Sequence, residues 1–292
     1  MLLFVAIPLH AQVSPAIATD PAPDKVNPAL LDTFAIPSHG VGLNALVYVA
    51  AGAGPHPVVI LLHGFPGNEK NLDLAQAIRR AGWDVLYFDY RGSWGTPGDF
   101  SFSHCMEDVQ AAIAYVRDPA NAKRLRADPK RIVLTGHSMG GLLAAWAGAQ
   151  DAQIEAVELI SAADMAGRTK VPANIPEEAR KQVQAKVASA LASNGLAPLA
   201  GCTAESLAAE LMAHADEWAL AGFAKKLASR PLLIVTSDDG TGPANQALAD
   251  GLKAAGDKEV NAVHIATDHS YSDKRIELET KVLGALAPLT QR

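Results

Sequence analysis

A chain of 292 residues, 49% of them apolar and 19% charged, can bury one large α/β core and is too apolar to be disordered. Its 31 acidic and 25 basic side chains leave a formal charge of -6 and are scattered, with no basic patch of the kind nucleic acid requires. No apolar run is long enough to cross a bilayer.

Residues 1–33 read as a signal-like segment and a linker. Leu2 to Leu9 is apolar and short, and a spacer rich in Pro, Ala and Asp follows. This has the form of the later part of a secretory signal, without the basic leading region. It predicts a periplasmic or secreted protein, or a cytoplasmic one if the start is misassigned. Two cysteines, Cys105 and Cys202, are too few for a disulfide framework, and the sequence leaves open whether they pair.

Residues 34–292 are expected to form one α/β domain without internal repeats. Strand-like runs alternate with helical patterns, which predicts a mainly parallel central sheet flanked by helices. Leu43 to Ala50 reads as an early antiparallel strand. The run PVVILLH, ending at His63, is almost wholly apolar and should be buried on both faces. Asn71 to Ala81 predicts a helix, Trp83 to Tyr90 a strand, and Cys105 to Arg117 a helix with one apolar face. Arg131 to Thr135 is a strand, Met139 to Ala149 a helix, and Ala156 to Ser161 a strand.

The alternation then stops. Residues 165–228 are alanine-rich, charged and helical in pattern, interrupted by Pro172, Pro176 and Pro198. They read as a helical cap insertion over one end of the sheet. Pro231 to Ser237 resumes as a strand, followed by a helix (Ala244 to Ala255), a strand (Val260 to Ala266) and a last helix (Tyr271 to Leu286).

The chemistry centres on Gly136-His137-Ser138-Met139-Gly140, which fits G-x-S-x-G between an apolar strand and a helix. A tight strand-to-helix turn strains the central residue, and its neighbours two positions away must be small for strand and helix to pass. The strain lifts the Ser138 hydroxyl clear, at a helix N-terminus that favours developing negative charge. A serine hydroxyl needs a base, and the base an orienting acid. In the order serine, acid, histidine, both lie downstream. Asp238 and Asp239 follow one late strand, and His269 follows the last.

With these pieces in order, the chain resembles the α/β-hydrolase superfamily from Phe34 to the C-terminus. HGFPGNEKNLDLA, DYRGSWGTPGDFSF, GHSMGG, TSDDGTGP and TDHSYSD are similar to serine hydrolases of the dienelactone-hydrolase and prolyl-oligopeptidase-like branch. The resemblance implies Ser138 as nucleophile and His269 as general base. It prefers Asp239 as the acid, on its four-residue spacing to Pro243, with Asp238 as the alternative and Asp164 as a third option. Asp268 reads as a loop cap.

The same resemblance implies an oxyanion hole from two backbone N–H groups, those of Met139 and Phe65; Pro66 has none to offer. His63 reads as a brace for its own loop. Arg91 and Trp94 are candidates to line the substrate site, with an ion pair and packing as their alternatives. His104, His137 and His214 receive no role. His264 and His269 lack the further ligands of a metal set, H-E-x-x-H is absent, and no nucleotide-binding glycine motif occurs, so no cofactor or metal is expected. The expected function is cleavage of a small-molecule carboxylic ester through an acyl-enzyme. The rival readings are a peptidase or amidase on the same machinery and a silent binding protein on a hydrolase fold.

Overall fold

The computed structural model describes residues 14–257 and 260–290, so the apolar run from Leu2 to Leu9 lies outside the described residues. Among the described residues, eight strands run in chain order as β1 (Leu30–Ser38), β2 (Val41–Val49), β3 (His56–Leu62), β4 (Asp84–Phe88), β5 (Ala127–His137), β6 (Ala156–Ile160), β7 (Leu232–Thr236) and β8 (Asn261–His264). They form one sheet in the order β1-β2-β4-β3-β5-β6-β7-β8. β1 and β2 are antiparallel, β2 meets β4 antiparallel, and every later pairing is parallel. The α/β-hydrolase fold expected from the sequence is the fold observed.

The apolar run of β3 is central because its alternating side chains serve two cores. Val59 and Leu61 pack with helices α2 (Leu72–Arg80) and α10 (Arg275–Thr290) on one face. Val58, Ile60 and Leu62 pack with α3 (Phe102–Arg117) and α5 (Met139–Gln150) on the other. A strand covered on both faces has no polar side to alternate with.

Three elements escaped the sequence reading. β1 begins at Leu30, inside the stretch read as linker, so the sheet starts four positions before residue 34. Its burial alternates only weakly, because it is an edge strand with one pairing partner. A short helix α1 (Pro15–Ala18) precedes it and accepts hydrogen bonds from Arg80 through the Ala16 and Ile17 carbonyls. α4 (Pro119–Leu125) was missed too, although Asp118 caps Ala120 and Asn121 N–H and Pro119 opens the first turn.

The segment 165–228 is helical as read, holding α6 (Glu177–Ser193), α7 (Ala204–Ala213), α8 (Ala224–Leu227) and two 3-10 turns. It is fastened over the loop that follows β4. The Trp94 N–H donates to Pro198 O, Phe100 N–H to Ala200 O, and Ala200 N–H to Gly92 O. Glu210 of α7 accepts from the Phe102 and Ser103 N–H groups at the start of α3, both at 2.9 Å. The strands β3 to β8 are parallel, so the loops after them, and the segment held over them, gather at their C-terminal ends. α9 (Gly242–Ala254) closes the last crossover. Cys105 and Cys202 are both free thiols.

Candidate active site

Ser138 sits between β5 and α5 with φ +58° and ψ -118°. That region is unfavourable for a side-chain-bearing residue, and backbone hydrogen bonds on both its N–H and its carbonyl hold it there. Its N–H donates to Ile160 O at 2.9 Å, and its carbonyl accepts from Gly141 and Ala163. The glycines on either side are sterically required. A methyl on Gly136 would strike the Gly140 carbonyl, and one on Gly140 would strike the carbonyl of Leu62. Gly64, just after β3, completes the corner: a methyl there would lie 2.9 Å from Ser138 Cβ. The loop His63-Gly64-Phe65 therefore runs directly past the serine.

His269 follows β8, and its Nδ1 lies 2.6 Å from Asp239 Oδ2 in the loop after β7. A carboxylate can only accept, so Nδ1 carries the proton and Nε2 the lone pair. Asp239 Oδ1 accepts from the Thr241 N–H at 2.8 Å and its hydroxyl at 2.7 Å. Burial alone would raise this carboxyl; the hydrogen bonds from His269, Thr241 and Ser161 outweigh it and hold it well below the usual carboxylate range. Asp239 is almost fully buried, whereas the imidazole side chain is 42% exposed and so open to a substrate.

The other acid candidates point elsewhere. Asp238 reaches outward to His264 at 3.2 Å. Asp164 accepts from the Leu220 N–H at 3.0 Å, inside the cap. Asp268 accepts from the Ser272 N–H, as a loop cap does.

The BD-FAE family model matches residues 46–214, more than half of the chain. The chain belongs to the BD-FAE family. Two uncharacterised proteins of Mycobacterium tuberculosis, MT2364 and Rv2307c, are each 30% identical over 131 residues, 44% of this chain and 45% of theirs. The uncharacterised YfhR of Escherichia coli K12 is 30% identical over 99 residues, 32% of this chain and 33% of its own. The chain thus spans less than half the length of these curated relatives.

Among solved structures, Est1E of Butyrivibrio proteoclasticus with ferulic acid bound has a TM-score of 0.65 at 20% identity, covering 88% of this chain and 98% of that one. The metagenomic carboxylesterase EstE1 has a TM-score of 0.59 at 21% identity, covering 89% of each. An acylaminoacyl peptidase of Pyrococcus horikoshii has a TM-score of 0.63 at 18% identity, covering 90% of this chain but 42% of that one. At these identities the likeness is one of fold.

Within this member of the BD-FAE family, the remaining candidates divide. Arg91 forms the ion pair that was its alternative reading: it is buried, with Nε 2.7 Å from Asp108 and Nη2 on the His104 carbonyl and Glu107. Asp108 has no solvent exposure, so its charge is balanced only from within. Trp94 is 37% exposed, and its indole N–H donates to Pro66 O at 2.8 Å, bracing the loop after β3. Lys70 lies over its ring at 4.6 Å. Phe65 packs against Phe100 and Phe102. His63 braces its loop as read, with Nδ1 donating to Gly64 O at 2.8 Å; burial drops its pKa to about 4 and keeps it neutral.

The sequence reading gave His137 no role, yet its Nε2 donates to the His269 carbonyl at 2.8 Å and the two rings lie 4.7 Å apart. Burial, reinforced by the neighbouring His269, lowers His137 to about 4. It is a neutral strut between the serine corner and the histidine loop. Its signal was its place beside Ser138; its partner, 132 positions away, had none. Among the described residues, no group of three His, Cys, Asp or Glu side chains could hold a metal ion, and no helix is long and apolar enough to cross a membrane.

Proposed function

We propose that this protein is a serine hydrolase that cleaves carboxylic esters of small molecules through an acyl-enzyme. The observation that carries the reading is the 2.6 Å contact between His269 Nδ1 and Asp239 Oδ2, in a loop tied through the His269 carbonyl to His137, the residue before a serine held at φ +58°. With Asp239 fixing the tautomer, the His269 Nε2 lone pair takes the Ser138 proton as Oγ attacks the ester carbon. The backbone N–H groups of Met139 and Phe65 hydrogen-bond the oxyanion of the tetrahedral intermediate, each such donor being typically worth about 10²–10³ in rate. The imidazolium returns its proton to the leaving alcohol. Water, deprotonated in turn by His269, then releases the acid from Ser138. Each step uses side chains and backbone of this chain and calls for no cofactor.

Esters are favoured over amides by the extent of the structural likeness. It runs nearly the full length of Est1E and EstE1 but covers 42% of the acylaminoacyl peptidase. The test is Ser138→Ala assayed on short-chain nitrophenyl esters, with a fluorophosphonate probe alongside. Turnover should fall by roughly 10⁶ and labelling should vanish. A variant that still turns over at the wild-type rate rejects the reading, and faster cleavage of aminoacyl amides than of esters rejects its substrate class.

A further inference from the structure

The loop bearing His269 is anchored by a tyrosine that the mechanism above leaves unused. Tyr271 is fully buried and has φ +57°. Ser161, at the end of β6, is also fully buried and has φ +46°. Positive φ is uncommon for any residue with a side chain, and such positions persist only where the surroundings hold them. Here the two meet: their hydroxyl oxygens are 2.8 Å apart, across 110 positions of sequence. Ser161 Oγ also lies 3.1 Å from the hydroxyl of Ser237, two residues before Asp239. Three successive strand-end loops, after β6, β7 and β8, are thereby joined through one buried cluster of hydroxyls.

We propose that Tyr271 and Ser161 are positioning residues whose hydroxyl pair locks the His269 loop against the Asp239 loop and sets the angle at which imidazole meets carboxylate. This rests on the reading of His269 and Asp239 as base and acid. Tyr271 is suited to the task because burial pushes its pKa up to about 12, so its O–H remains a donor at any working pH. A donor from Tyr271 frees the Ser161 proton for the acid side, and the Ser161 hydroxyl contributes to holding the Asp239 carboxyl low. The same short loop is held at its other two residues: His137 Nε2 donates to His269 O, and Arg275 Nη1 donates to Ser270 O at 3.0 Å. Tyr271 is the only one of the three anchors that leads back to the acid. His137 and Arg275 are also the titratable groups that face the pair from α5's leading corner and from α10, and neither is altered by the substitutions below.

The test compares Tyr271→Phe and Ser161→Ala with wild type on a nitrophenyl ester, reading kcat, KM, the pH profile and thermal melting, with Ser138→Ala as reference. Tyr271→Phe should lower kcat about tenfold with KM within twofold, since small misplacements of a catalytic group are felt in the chemical step. Ser161→Ala should shift the acid limb of kcat/KM to higher pH, because a carboxylate that loses a donor holds the imidazolium proton more strongly. The low-field proton resonance of the His269–Asp239 bond, recorded in the inactive Ser138→Ala background, should move when Tyr271→Phe is added. Wild-type kinetics in both variants, or lower activity with an unmoved pH limb and an unmoved resonance, overturns the positioning role. An active Ser138→Ala would instead reject the triad itself, which keeps the two failures apart.

Discussion

His269 Nδ1 stands 2.6 Å from Asp239, while Asp238, one residue earlier, turns outward to His264 at 3.2 Å. The two aspartates thus differ in what they can do although they are neighbours in the chain. Asp239→Asn should lower kcat by about 10⁴, because the amide cannot enforce the Nδ1–H tautomer. Asp238→Asn, at an exposed pair, should change kcat less than about twofold. Steady-state kinetics on one ester decides between them, and equal losses would show that the acid was misassigned.

The serine corner makes a steric prediction that is independent of chemistry. Gly140→Ala places a methyl against the Leu62 carbonyl, 2.6 Å from its carbon, in a backbone that cannot retreat from β3. The variant should lose more than about 4 kcal/mol or fail to fold. Gly284, in the middle of α10, has open space where a methyl would go. Gly284→Ala should therefore stabilise the protein by about 0.5–1 kcal/mol through helix propensity alone. Denaturant melts of the two variants check both signs.

What the chain discloses depends on how local the constraint is. The strands β3 and β5 and the elbow between β5 and α5 are legible, because burial on both faces and a steric corner act over a few residues. His269 is legible through its order after the last strand. Asp239 over Asp238 is legible only as a preference, from the spacing to Pro243, because the orientation of each carboxylate is fixed in the turn, where Asp239 meets the N–H and hydroxyl of Thr241. Arg91 could be read as a pocket residue or as half of an ion pair, because its partner, Asp108, lies 17 positions on in an ordinary helix. Ser161 and Tyr271 carry no pattern at all; each is defined by the other. The polar helices of the cap announce themselves as helices but not what they close over.

Arg91 and Trp94, three residues apart, should separate stability from kinetics. Arg91→Ala leaves Asp108 as a fully buried carboxylate with only the Ser38 hydroxyl and the Arg91 N–H on its oxygens. Breaking a buried pair in this way costs about 3–5 kcal/mol, so the melting temperature should fall while KM for the folded fraction holds. Trp94→Ala removes the indole that fixes Pro66 O beside the loop past Ser138. It should lower kcat/KM roughly tenfold with little change in melting. The reverse pattern would return Arg91 to the substrate site.

Glu158 makes the protein's stability depend on pH in a direction opposite to that of a salt-bridged carboxylate. It lies in the middle of β6, fully buried, with one contact, from the Thr135 hydroxyl at 2.7 Å, and burial raises it to about 8 from an ordinary 4.5. The folded state therefore keeps the proton over a range in which the unfolded chain has lost it. The associated stability is present in full below about pH 4.5, declines as pH rises toward 8, and is gone above it. Glu158→Gln keeps the Thr135 contact and cannot ionise. The variant should match wild type near pH 4.5 and become more stable than it by a few kcal/mol, on the order of 1.4 per pH unit, as pH approaches 8. Asp84, likewise raised to about 8 by burial, keeps a residual slope in the variant. Thermal melts of both proteins across this range provide the check, and parallel curves would mean that Glu158 is already ionised in the folded protein.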